Sequence, residues 1–342
     1  DEDSAILTIT GNADLRFKDV SLIGDEVTVY MDEGAAHAEG HVTVRDKYTT
    51  LTGDWAAANW TDEEYRAGGA VRLTHTGNPN KDSDPFELRG DELEWNKKTG
   101  GGTVTGSPVL TSRGRRATAN TMSFNSEDEV YNLEGNVTLH QDNGDWLRDK
   151  DTIDQDDEQA RALAEKPTDA TCHTARFEPQ DDYFLLVGDV HVTQPQKEVF
   201  ADRIEYWGEK KRLVMEGSVH LAQSRGDWLF EGGFVEEDDD EEIKKRARKP
   251  ADVYCERLES LSGERKLVLS GGVRIVQGKS EITGDTVWHY GKTEQTVIEG
   301  NVRVIDEDGA DLKAKRVVYN GKTRELEAFN SISGSGYMEE EK

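Results

Sequence analysis

Apolar and polar residues alternate through most of this 342-residue chain, the two-residue period of a strand that buries one face. The clearest stretch reads Ala-Asp-Arg-Ile-Glu-Tyr-Trp (201–207), a turn Gly-Glu-Lys-Lys, then Arg-Leu-Val-Met-Glu-Gly-Ser-Val-His-Leu-Ala (212–222). In its second half Leu213, Met215, Gly217, Val219 and Leu221 share one face of the pleat, and Val214, Glu216, Ser218 and His220 share the other. The same apolar places recur as Leu133, Val137 and Leu139, as Leu186, Val190 and Val192, as Leu269, Val273 and Ile275, and as Ile298, Val302 and Val304. Turn formers such as Lys-Lys-Thr-Gly (97–100) and Gly-Lys-Thr-Glu (291–294) separate the halves. Each unit is therefore predicted to be an antiparallel hairpin of long strands.

The units repeat. Gly11, Gly40, Gly69, Gly106, Gly135, Gly188, Gly217, Gly271 and Gly300 stand 29, 29, 37, 29, 53, 29, 54 and 29 residues apart, and a fixed step of this size marks a repeat protein. Sixteen residues before each glycine from Gly40 onward stands a small residue: Gly24, Gly53, Gly90, Ala119, Cys172, Ala201, Cys255 and Gly284. An apolar residue follows three places later, as in Ile204 and Leu258, and an aromatic follows at five or six, as in Phe124, Phe177, Tyr206 and Tyr290. A glycine in mid-strand marks a bend or a close backbone approach. Repeated in register, it would crease the sheet along one line and turn the apolar positions into a trough. A flat two-sheet sandwich, filled by its own side chains, is the alternative. Neighbouring units would stand about 10 Å apart, so ten of them would form one elongated body on the order of 90 Å long.

Three gaps exceed the period. The first holds the turn-rich stretch 77–85. The other two open with Gly-Asp-Trp-Leu (144–147 and 226–229) and close at Lys-Pro. Acids precede bases inside both, so short helical insertions are expected at about 148–167 and 231–250. They would serve as flaps or a docking surface, or merely blunt a sheet edge.

Seventy Asp and Glu against 42 Lys and Arg give a formal charge of −28, which argues against nucleic acid as a partner. Salt adaptation, calcium sites or a basic partner would each account for it; the spread of acids over turns and wet faces favours the first. No run of 18 apolar residues occurs, so no membrane-spanning helix is expected. Cys172 and Cys255 occupy equivalent places two repeats apart, about 20 Å by the stacking distance, and read as unpaired stand-ins for Gly or Ala. His191 and His220 follow ladder glycines by three places, about 10 Å apart on the wet face, too far to share a metal. The acidic runs 236–242 and 306–311 lack EF-hand spacing, and there is no P-loop, Gly-x-Ser-x-Gly or dinucleotide motif. No enzyme activity, cofactor or metal is expected.

Two stretches carry a resemblance: Ala-Asp-Arg-Ile-Glu-Tyr (201–206) with Leu-Val-Met-Glu-Gly-Ser-Val-His-Leu (213–221), and Asp-Thr-Val-Trp-His-Tyr (285–290) with Val-Ile-Glu-Gly-Asn-Val-Arg-Val (297–304). They resemble the OstA-like repeats of the LptA family of lipopolysaccharide transport proteins, which takes in LptA, LptC and the N-terminal domain of LptD. The resemblance implies an all-β fold, an elongated antiparallel β-jellyroll, over a single domain spanning 1–342. It implies a periplasmic protein, its signal peptide removed, that shields the acyl chains of lipid A between inner and outer membranes. The trough lining would then be Leu133, Val137, Leu139, Leu186, Val190, Val192, Met215, Val219, Leu221, Leu269, Val273, Ile275, Ile298, Val302 and Val304, with Phe124, Phe177 and Tyr206. Implied partners are lipopolysaccharide itself, LptC-like and LptD-like proteins joined by β-edge pairing near residues 5–15 and 311–332, and further copies stacked head to tail. The sequence shows neither the barrel of LptD nor the anchor of LptC, which favours a soluble shuttle or bridge. A structural β-array without a ligand is the competing class; a β-helical polysaccharide enzyme would need an acid and base cluster that does not stand out.

Overall fold

The structure, a computed structural model, describes residues 5–17, 20–77, 85–125, 127–142, 166–224, 249–323, 325–330 and 333–335. Residues 148–165 and 231–248 of the two expected helical insertions, and most of the turn-rich stretch 77–85, lie outside these residues. The described residues hold 22 strands and no α-helix. They divide into two compact units, Asp1–Gln141 with His173–Gln180, and Asp142–Cys172 with Asp181–Lys342.

The first unit contains β1 (Ile6–Phe17), β2 (Val20–Tyr30), β3 (Ala35–Arg45), β4 (Thr49–Asn59), β5 (Glu64–His75), β6 (Phe86–Asn96), β7 (Gly101–Thr105), β8 (Val109–Ser112), β9 (Arg115–Thr118), β10 (Thr121–Asn125) and β11 (Val130–Gln141). The division runs through β12 (Thr168–Glu178). The second unit contains β13 (Tyr183–Gln194), β14 (Lys197–Trp207), β15 (Arg212–Gln223), β16 (Ala251–Leu261), β17 (Lys266–Gln277), β18 (Ser280–Tyr290), β19 (Gln295–Ile305), β20 (Asp311–Asn320), β21 (Glu325–Phe329) and β22 (Ser333–Ser335). Within β1–β6 and within β13–β20, successive strands pair antiparallel as hairpins.

Every ladder glycine is a bend. All nine have positive φ, from +73° to +84°, and so does the residue after each: Asn12, His41, Ala70, Ser107, Asn136, Asp189, Ser218, Gly272 and Asn301. Two left-handed residues in succession cannot continue a pleat. The ladder breaks register there, between Glu39 and Val42, Gly68 and Val71, Glu216 and Val219, and Glu299 and Val302. At Gly40, Gly69, Gly106, Gly135, Gly217, Gly271 and Gly300 an acid or amide on the preceding strand fills the space that a side chain would need, whereas Gly11 has open space. A Cβ on Gly217 would stand 2.1 Å from a carboxylate oxygen of Asp202, and one on Gly300 would stand 2.1 Å from Asp285. The second bent residue then ties back: Asn301 Nδ2 donates to Asp285 at 3.2 Å, and Asn136 Nδ2 donates to Asn120 at 3.2 Å. Glu-Gly-Asn-Val is thus a corner, in which Gly turns the strand, Asn fastens it and Val returns to the buried face.

Two corners depart from the rule. Around Gly106 the long strands split into β7 and β8, and β9 and β10, and the buried Pro108 replaces the usual valine. A proline cannot donate to the ladder, so pairing stops there. In the last unit Phe329 occupies the ladder place, and the bend passes to Asn330 at φ +59°, separating β21 from β22.

Candidate functional site

The inner face sorts into rows by distance from the crease. Two places after each ladder glycine stand Ala13, Val42, Val71, Pro108, Val137, Val190, Val219, Val273 and Val302, all buried. Two places before it, Ala38, Ala67, Val104, Leu133, Leu186, Met215, Leu269 and Ile298 are also buried. In the first unit residues from both sides of the bend join one cluster, with Leu15, Leu22, Val44, Leu51, Leu73 and Leu88 packed partly buried against it.

The eighteen sequence-derived lining positions divide along these rows. Leu133, Val137, Leu186, Val190, Met215, Val219, Leu269, Val273, Ile298 and Val302 flank the crease and are buried. Leu139, Val192, Leu221, Ile275 and Val304, four places beyond it, are half-buried, as are Phe124, Phe177 and Tyr206 toward the opposite strand ends. The stripe is closed at the crease and open toward its margins. Tyr206 stacks on Phe184 with centroids 5.4 Å apart, and the Phe124 ring lies where a Cβ on Gly102 would fall. Phe184 on this face went unread in the sequence, although its parity with Leu186 would have found it. His289 also faces inward, paired with Leu267 across the ladder. Burial, and then Arg265, push its pKa down to about 4, so it sits there as neutral imidazole with Nδ1 2.9 Å from the Thr296 hydroxyl.

The other face is charged, but not uniformly wet. In the second unit Arg203 pairs with Glu205 and lies near Glu216, Arg257 pairs with Glu216, and Arg212 Nε stands 2.6 Å from Glu259. The Tyr183 hydroxyl donates to Glu205 at 2.8 Å. Val214, which alternation assigns to this wet face, is nevertheless buried, and so is Val297. Val214 lies opposite Glu205 and Glu259 in the ladder, which pair with Arg203 and Arg212, and arginine stems cover apolar surface while their heads stay in water.

His191 and His220 are held apart by Phe200. The three rings stack at 4.3 and 5.6 Å, and Tyr254 follows His220 at 4.3 Å. Among the described residues no group of His, Cys, Asp and Glu is arranged to hold a metal. Asp306 and Asp311 of the acidic run 306–311 have structural roles: Asp306 accepts the backbone N–H of Asp308 and Ala310, and Asp311 pairs in bidentate fashion with Arg303 at 2.9 Å. Cys172 and Cys255 are buried in the small-residue row, and burial pushes both thiols up to about 11. That makes them poor nucleophiles.

The described residues form an all-β hairpin-repeat protein with a creased apolar stripe. Residues 1–148 match the family described as LptA/(LptD N-terminal domain) LPS transport protein. The match covers 148 of the 342 residues, and the family it names is described as one of transport proteins. Among solved structures it is similar to LptH of Pseudomonas aeruginosa, described as the LptA homologous periplasmic component of the conserved lipopolysaccharide transport device. Identity is 15% over 34% of this chain and 81% of that one, with a TM-score of 0.31. Comparison with curated proteins returns no match.

Proposed function

We propose that this chain binds lipopolysaccharide by its lipid A acyl chains along the inner stripe and carries it through the periplasm between inner and outer membranes. The supporting observation is the grading of one face, buried at the crease and half-buried at Leu139, Val192, Leu221, Ile275 and Val304, while the opposite face carries charge. Acyl chains that cover the half-exposed rows gain about 0.8 kcal/mol per methylene removed from water. Acids on the outer face repel lipid phosphates, so affinity rests on the tails. The edges offer the means of handover. Among the described residues β1 pairs only with β2, and β21 and β22 pair only with β20; Ile6, Leu7, Leu326 and Phe329 are exposed there. Such edges add strands, and in this reading they meet LptC-like and LptD-like proteins or further copies of the chain.

The test is mass spectrometry of lipid extracted from the natively purified protein, paired with the double variant Leu221→Asp, Ile275→Asp. Bound lipopolysaccharide that disappears in the variant, with β-rich circular dichroism retained, is the expected result. Protein that purifies free of lipid and does not take up added lipopolysaccharide would instead be a filled structural array.

A further inference from the structure

The repeats serve as their own control for the outer row beside the crease, formed by the residue before each ladder glycine and its partners across the strands. In the second unit this row sets opposite charges face to face: Arg203 with Glu216, Glu216 with Arg257, and Glu299 with Arg316, the last pair at 3.1 Å. In the first unit the equivalent places hold Trp55 and Gly68, directly opposite each other in the ladder. A Cβ on Gly68 would stand 2.5 Å from the indole Cε2 and Nε1. The indole therefore lies across Gly68, a seat that only a residue without a side chain provides. His37 leans against it, with centroids 6.3 Å apart and planes at 38°. The fold does not need this pair, since sister repeats turn the same corner with charges.

Trp55 forms part of an open cleft of about 580 Å³ with His37, Glu39, Gly40, His41 and Asp54. Its rim is mixed rather than simply acidic. Glu39 lies 3.7 Å from His37 Nδ1, and Asp25 lies 2.9 Å from His41 Nδ1, so imidazoles stand beside carboxylates, and each has a second ring nitrogen or carboxylate oxygen beyond that contact. A hydroxyl both donates and accepts, and matches such a rim where a cation would match only half of it. A phosphorylated ligand would meet Glu39, Asp54 and Asp25. A flat aromatic plate with one polar edge suits the apolar face of a sugar ring.

We propose that the Trp55 cleft binds a neutral pyranose glycan. The site lies on the face opposite the apolar stripe and is independent of lipid binding. Saturation-transfer NMR on the full chain with chitotetraose and maltotetraose is the test, with glucose 6-phosphate and tetra-arginine as contrasting probes. At least one neutral oligosaccharide receives saturation at its ring C–H protons, and Trp55→Ala weakens its binding tenfold or more while lipid binding is unchanged. Gly68→Ala, which displaces the indole, has the same effect. Should either variant fold poorly, amide exchange of the wild type supplies the location: saturating glycan protects β3 and β4. Binding by neither neutral glycan, binding by tetra-arginine or glucose 6-phosphate alone, undiminished binding in folded Trp55→Ala, or protection confined to other strands would overturn the proposal.

Discussion

The two units turn the same corner and furnish it differently. Beside the crease on the inner face the middle strands of the first unit place Ala38, Ala56 and Ala67, with larger residues in its other strands, such as Val27, Leu93 and Leu133; the second unit places Leu186, Ile204, Met215, Leu258 and Leu269, all of them buried. On the outer face the second unit alternates Arg203, Glu216 and Arg257 in an ion-pair row, while the first sets Glu26 directly opposite Glu39 and then Glu39 opposite Trp55. The bend is thus independent of what fills either face. It rests on paired left-handed residues, reinforced at most corners by a side chain folded over the ladder glycine, which leaves both faces free to vary.

The largest expected effect is on the bend itself. Gly217→Val puts a β-branched residue at φ +77° against Asp202 and should cost about 3 kcal/mol or more in urea denaturation. Gly11→Ala, at φ +81° but with open space around it, should cost only about 1 kcal/mol. Equal costs at the two sites would remove the packed acid from the account.

Acidification should separate the units in opposite directions. The folded-state pKa of His289 is depressed to about 4, below the ~6.5 of an unfolded histidine. Between those values the unfolded chain binds the extra proton, so the stability it contributes is lost as pH falls from about 6.5 toward 4, by at most about 3 kcal/mol. His41, exposed in the first unit, has its pKa raised by the hydrogen bond and charge of Asp25. Its contribution is present below the unfolded value and is lost as pH rises through the folded one. Amide exchange corrected for intrinsic rates should show the second unit loosening on acidification, and His289→Gln should flatten that response. A His289→Gln variant that is just as acid-sensitive would reject the assignment.

Core volume should matter next. Ala67→Leu overfills the first unit and should cost roughly 1–3 kcal/mol, whereas Met215→Leu in the second should cost less than about 1.5 kcal/mol. The smallest effect concerns charge. Like charges placed directly opposite destabilise a sheet, so molar salt should protect the first unit more than the second. Glu39→Arg should stabilise it by about 0.5–1 kcal/mol and blunt that salt response. A salt response equal in both units would leave the charge difference without consequence.

Much of this architecture could be read directly from the residues. Period-two alternation and the glycine ladder located the strands and the crease, and parity put Met215, Val219 and Val273 on the buried face where they lie. Parity alone did not say which lining residues stay half-open, because Val219 and Leu221 look alike until distance from the bend separates them. The acid after most of the small residues, such as Asp202 or Asp285, was visible but had no meaning until the ladder glycine was seen beneath it. Val214 was read as wet because alternation counts residues and not the reach of neighbouring Arg and Glu. Trp55 over Gly68 needed the cross-strand register, which one strand's sequence does not contain.

The account stands most directly on a photo-crosslinking comparison along two strands. Crosslinkers at Leu221 and Ile275 face the open margin of the apolar stripe, while crosslinkers at their neighbours His220 and Arg274 face the charged side. With purified lipopolysaccharide, the first pair should capture lipid and the second pair should not. Capture of equal strength at all four positions, or at none of them, would contradict lipid binding along the creased inner face.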